Sequence, residues 1–208
     1  MRLGAIILAG GRSTRMGRPK ESIELGGRTL LARACATMAG CASPVVVVAR
    51  DAAQVLPELP PGVHRTHDAV VDRGPLVGIA AGLRWLAGAG GLAATDAAFA
   101  MACDQPFVTA AVVRALAAEL GDGEVVMPKA GGFLQPLCAI YRLSVLTTVE
   151  ELLAQGVATP RTLASLPRGH VLDQARLAAV DPSLDCLRSL DTPEDLAWAR
   201  RRVADRTP

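Results

Sequence analysis

Ala5-Ile6-Ile7-Leu8-Ala9-Gly10-Gly11-Arg12-Ser13-Thr14-Arg15-Met16-Gly17-Arg18-Pro19-Lys20 is the stretch on which the reading of this chain turns. Its first four residues form a continuous apolar run, the pattern of a buried strand. That run empties directly into a glycine-rich loop bearing Arg12, Arg15, Arg18 and Lys20. Gly10 and Gly11 allow the backbone to turn sharply and bring N–H groups close to an anion. Arg15 and Lys20 add fixed positive charge to the same loop. The loop is too long and too basic for a simple strand-to-helix connector, and it reads as a place to hold phosphates. It lacks the Gly-Lys-Ser/Thr ending of a Walker A loop. It also lacks the Gly-x-Gly-x-x-Gly of a dinucleotide fold.

Further apolar runs follow at Val45–Val48 and Ala97–Ala102, each read as a buried strand, with amphipathic stretches between and after them. The spacing predicts helices over Leu30–Met38, Leu76–Leu86, Ala110–Leu120 and Ser144–Leu153. A last helix is expected to begin near Pro193, with Thr192 as its N-cap. Glu124–Met127 and Leu137–Tyr141 suggest additional strands that need not run parallel. Alternation of this kind implies an α/β fold with a mostly parallel central sheet and helices on both faces. The Gly- and Pro-rich segments at 57–62 and 88–91 read as surface connectors, and neither is long enough to divide the chain. A single domain spanning residues 1–208 is expected. In such sheets the ligand lies beyond the carboxyl ends of the strands. The loops after Leu8, Val48 and Ala102 therefore take priority.

Composition excludes several alternatives. A net charge of +2 is too small to imply general nucleic-acid binding. No apolar segment approaches the ~20 residues that span a bilayer, and the N-terminus runs straight into the first strand, so a cytoplasmic protein without membrane partners is expected. The five cysteines are scattered, odd in number and never in a C-x-x-C arrangement, which disfavours a zinc site or a disulfide framework.

The basic loop has acidic counterparts. Asp104, in Cys103-Asp104-Gln105-Pro106, follows the Ala97–Ala102 strand and is placed to hold Mg2+ against triphosphate oxygens. The alternative, a cap on the next helix, falls more naturally to Thr109. The segment His67-Asp68 to Asp72-Arg73-Gly74-Pro75-Leu76-Val77-Gly78 forms a polar turn whose carboxylate can accept from a base N–H pair such as that of guanine, or else is a plain Asp-Gly-Pro turn. Asp191, in Asp191-Thr192-Pro193-Glu194, is either part of a helix start or a second metal contact. Arg188 is either a phosphate contact or solvated. Arg161, Arg168 and Arg176 are either contacts for a second substrate or simply exposed.

Taken in order, these motifs resemble the molybdenum cofactor guanylyltransferase family across essentially the whole chain. The resemblance rests on Leu8-Ala9-Gly10-Gly11 through Arg15-Met16-Gly17 and Lys20, on Gly74-Pro75-Leu76-Val77-Gly78, and on Cys103-Asp104-Gln105-Pro106. The segments Gln135-Pro136-Leu137 to Tyr141 and Asp191-Thr192-Pro193-Glu194-Asp195-Leu196 complete it. It implies a Rossmann-like sheet of the nucleotide-diphospho-sugar transferase type. It further implies transfer of GMP from GTP to Mo-molybdopterin with release of pyrophosphate, and Mg2+ as the cofactor. A cytidylyltransferase for the same cofactor, another sugar-phosphate-type nucleotidyltransferase, and a non-catalytic nucleotide-binding protein are the alternatives. By resemblance, Leu8, Ala9, Gly10, Gly11, Lys20, Asp68, Gly74, Pro75, Leu76 and Asp104 bind nucleotide. Asp104, with Asp191 second, holds the metal; Arg15, Lys20 and Asp104 serve catalysis. Whether Asp68 or Asp72 makes the nucleotide contact stays open. Where the family pattern has an asparagine after the second strand, this chain has Val48-Ala49-Arg50, and Arg50 is a candidate replacement.

Overall fold

A computed structural model describes residues 1–11, 16–67 and 74–205. In chain order the elements are β1 (Leu3–Leu8), β2 (Glu24–Leu25), β3 (Arg28–Thr29), α1 (Leu30–Ala39), β4 (Val45–Ala49) and β5 (Val63–His67). They continue with α2 (Pro75–Ala87), β6 (Ala97–Ala102), α3 (Ala110–Ala118), β7 (Val125–Ala130), β8 (Phe133–Leu134) and β9 (Cys138–Arg142). The C-terminal part contains α4 (Leu146–Ala154), β10 (Gly169–Leu172), α5 (Gln174–Ala178) and α6 (Pro193–Ala204). The main sheet runs β10-β7-β9-β6-β1-β4-β5, with β8 paired on β7. Pairing is parallel from β6 through β5 and between β10 and β7, whereas β9 runs antiparallel to both β6 and β7.

Successive side chains of each inner strand go to opposite faces, so continuous apolar runs feed two cores at once. On one face Ala5, Ile7, Val45, Val47, Phe99 and Met101 pack with α1 and α3. On the other, Ile6, Val46, Val48, Ala98 and Ala100 pack beneath α2 and α4. The α2–β1 contact is especially close: a Cβ on Gly82 would stand 2.6 Å from Ile6 Cγ2. A third, smaller core joins Ile23, Leu25 and Leu30 to Phe107, Leu190, Leu196 and Ala199, docking α6 onto the β2–β3 hairpin.

The expected helices all form, with ends shifted by a residue or two; the helix expected from Ser144 begins as a 3-10 turn at Leu143–Val145 and becomes α-helical at Leu146. Thr192 caps α6 as anticipated, in a reciprocal arrangement with Asp195. β5 and β10 were not signalled by sequence. Both lie at the sheet's margins, are largely exposed and carry His64, Arg65, His67 and His170 in place of an apolar run. All five cysteines are free and four are buried. Among the described residues, no helix is long and apolar enough to cross a membrane.

Registry places the ends of the parallel strands level. Leu8 stands beside both Val48 and Ala102, and Ala49 stands beside His67. The loops that leave β1, β4 and β6 therefore open on one edge of the sheet.

Candidate functional site

The site is assembled at that edge. At the exit of β1 the Ala9 N–H donates to Val48 O (2.9 Å), and the Cys103 N–H donates to Leu8 O (2.9 Å). The glycine loop thus leaves from between β4 and β6. A Cβ on Gly10 would stand 3.0 Å from Arg50 Cα, so this glycine lets the β1 and β4 loops abut. Gly11 differs: a Cβ there would meet nothing within 4 Å, and the residue faces open space.

Past the loop, Pro19 leads into a 3-10 turn, Lys20–Ser22. Lys20 Nζ donates to Asp104 Oδ2 at 2.6 Å and to Asp191 Oδ1 at 2.6 Å. The Lys20 and Asp104 side chains are largely buried (14% and 13% exposed), whereas Asp191 is 47% exposed. Three sequence-distant segments therefore converge on one ammonium group. Asp104 is oriented by its loop: Gln105 Oε1 accepts from Ala102 N–H (3.0 Å), and Leu190 N–H donates to Asp104 O (3.0 Å). The latter bond also brings the Asp191 segment alongside.

Burial opposes charge on both partners, while their pairing favours it. At Lys20 burial is the largest influence, yet two carboxylates together outweigh it and hold the ammonium above its usual value. At Asp104 burial wins over the single cation, and Asp191 adds repulsion, so its carboxyl sits above the ordinary range. Burial pushes the neighbouring Cys103 thiol well up, removing it as a nucleophile.

The caps that sequence offered to Asp104 and Asp191 are made by other residues. Thr109 caps α3, its Oγ1 accepting from Val112 N–H, so Asp104 has no capping role. Thr192 and Asp195 form the start of α6, which leaves the Asp191 carboxylate for Lys20. Arg188 is not simply solvated: its guanidinium stacks 3.8 Å from the Trp198 ring centre and approaches Asp195 at 3.5 Å. Arg50 turns its Nε to Asp51 Oδ2 (3.0 Å). Arg176 pairs with Glu119, and Arg168 with the Asp122 carbonyl.

The donor set suits a hard divalent cation. Asp104 Oδ1 is buried without a hydrogen-bond partner, and Asp104 Oδ2 and Asp191 Oδ1 already converge on a positive group. Among the described residues no group of three or more His, Cys, Asp or Glu side chains is placed to hold a metal ion. Two carboxylates, with remaining positions left to phosphate and water, is the habit of Mg2+.

Gly74, at positive φ, precedes Pro75 at the first position of α2, and its own Cβ position lies 3.0 Å from Ala158 O. Leu76 is fully buried in the core, backbone and side chain alike, which leaves Gly74 and Pro75 as the exposed part of this turn. Arg15, Asp68 and Asp72 lie outside the described residues. Glu21 and Gln54, both buried beside the loop, gave no signal in the sequence beyond a charged residue directly after Lys20.

A model of the MobA-like NTP transferase domain matches residues 5–171. A molybdenum cofactor guanylyltransferase from Desulfosudis oleivorans is 33% identical over 200 residues, covering 95% of this chain and 94% of that protein. One from Rhodobacter capsulatus is 32% identical over 208 residues, 100% of both chains. The crystal structure of molybdopterin-guanine dinucleotide biosynthesis protein A from Archaeoglobus fulgidus shares the fold, with a TM-score of 0.77 at 22% identity, covering 97% of this chain and 99% of that one.

Proposed function

The chain belongs to the MobA-like NTP transferase family, and from that premise we propose that it is a molybdenum cofactor guanylyltransferase, acting as one domain in the cytoplasm. It moves GMP from GTP to Mo-molybdopterin and releases pyrophosphate. The observation that carries the reading is the Lys20 ammonium held between Asp104 and Asp191 beside the glycine loop. Near-full-length similarity to proteins named for that activity supports the choice of GTP.

The reaction needs no nucleophile from the protein. A terminal phosphate oxygen of the pterin attacks the α-phosphorus of GTP; the new P–O bond forms as the bond to the β-phosphate's bridging oxygen breaks, and the electron pair leaves with pyrophosphate. The protein's part is alignment and charge. Gly10 and Gly11 present backbone to the nucleotide beside Leu8, as do Gly74 and Pro75 at the start of α2, and Asp68 or Asp72 contacts the nucleotide. Lys20 and Arg15 stabilise charge developing on the departing pyrophosphate. Asp104, with Asp191, would hold Mg2+, which when bound neutralises phosphate charge. Lys20 is itself held by those two carboxylates, so its ammonium stays charged and within reach of the same phosphates.

Thermal stabilisation by GTP, CTP, ATP and UTP in the presence of Mg2+ tests the assignment. A larger shift with GTP than with the others is expected. Preference for CTP would move the chain to the cytidylyl branch.

A further inference from the structure

Gln54 lies in the segment after β4 and is 7% exposed, with every hydrogen-bonding edge of its amide engaged. Its Nε2 donates to Ala9 O (2.8 Å) and to Glu21 Oε1 (2.7 Å), and its Oε1 accepts from Arg50 N–H (2.6 Å). The three partners belong to three different segments: the entry to the glycine loop, the turn that carries Lys20, and the exit of β4. Glu21 is 3% exposed. A buried carboxylate deprived of its donor pays the full desolvation penalty, so this pair is held firmly.

The bonds do more than fasten the fold. β1 is already tied to β4 by Ala9 N–H on Val48 O. The Lys20–Ser22 turn, by contrast, has no side-chain cap of its own. Gln54 joins this turn to the loop entry, with Glu21 directly following Lys20 and Ala9 directly preceding Gly10.

We propose that Gln54, with Glu21 as its counterpart, is a positioning residue for nucleotidyl transfer: it fixes the distance between the glycine loop and Lys20. This rests on the nucleotidyltransferase reading above. Neither side chain reaches the reacting atoms; the couple acts through Lys20 and the loop backbone. Its Oε1 also fixes the Arg50 backbone, so the same amide holds the exit of β4 against the other two segments.

The test compares Gln54→Ala, Glu21→Ala and Glu21→Gln with the unaltered chain, using GTP, Mg2+ and Mo-molybdopterin. Gln54→Ala and Glu21→Ala should lower kcat about tenfold or more, with a smaller change in KM for GTP. Glu21→Gln keeps a carbonyl oxygen for the Gln54 amide and should retain most of kcat. The Gln54→Ala/Glu21→Ala double variant should be no worse than either single variant, as members of one unit. Amide hydrogen exchange gives a readout independent of activity: residues 19–25 should exchange faster in both alanine variants while β4 and β6 stay protected. Unchanged kcat in the alanine variants, equal damage from Glu21→Gln and Glu21→Ala, or unchanged exchange over 19–25 would each overturn the positioning role. Should Gln54→Ala fail to fold, the two Glu21 variants decide alone. Absence of pyrophosphate release by the unaltered chain would overturn the guanylyl reading only, and the exchange result would still judge the couple.

Discussion

Lys20 and Asp191 lie 171 positions apart, yet Nζ of one donates to Oδ1 of the other at 2.6 Å. Asp104 shares the same ammonium, so the two ends of the chain and its centre meet in one charged triad.

Replacing Lys20 by Ala should cut turnover on the order of 10²–10³-fold, the scale for losing one preorganised stabiliser of transition-state charge. The melting temperature should fall as well, since Asp104 is left buried without its cation, but the variant should remain folded at the assay temperature. Steady-state kinetics beside a thermal melt checks both parts, and unimpaired turnover would remove Lys20 from catalysis.

The two carboxylates should not be equivalent. Asp104 is buried with a free Oδ1, whereas Asp191 is half exposed. Asp104→Asn is therefore expected to lose more activity than Asp191→Asn, and to need more Mg2+ for half-maximal rate. Titrating Mg2+ against rate for both variants gives the order directly.

Stability should carry a signature of Lys20 at high pH. Its folded value is raised, because two carboxylates outweigh burial. A raised group stabilises fully below its ordinary value of 10.5 and loses that contribution as pH climbs through the folded one. The stability gap between the unaltered chain and Lys20→Met should thus be flat from neutral pH up to that point and shrink above it. Denaturant unfolding across the alkaline range measures the gap.

Two glycines separate packing from binding. Gly82→Ala would put a Cβ 2.6 Å from Ile6 Cγ2, and overpacking of that kind costs about 1–3 kcal/mol. Gly11→Ala meets nothing within 4 Å and should leave stability within about 0.5 kcal/mol. If the nucleotide lies against Gly11, the same variant should bind GTP more weakly. Calorimetric unfolding and GTP titration of the pair distinguish the two effects.

What could be read from sequence follows from burial. Strands covered on both faces, such as Ala5–Leu8 within β1 and Val45–Val48 within β4, announce themselves by unbroken apolar runs. β5 and β10 do not, because a margin strand faces water and tolerates His64, Arg65 or His170. The site divides in the same way. Lys20 and Asp104 stood in local motifs at strand ends, where chemistry is expected. That Asp191 would close on Lys20 has no local signal, since the contact is made by the docking of Leu190 and of α6 through Leu196 and Ala199. Gln54 was silent, being a lone amide in a polar segment whose role depends on partners from two other loops.

Pyrophosphate release with Mo-molybdopterin and Mg2+, measured with each of the four nucleotides in turn, tests the central claim most directly. The account predicts turnover with GTP, dependent on the pterin and accompanied by a guanine dinucleotide product. Turnover with CTP in preference to GTP, or release from no nucleotide at all, would contradict it.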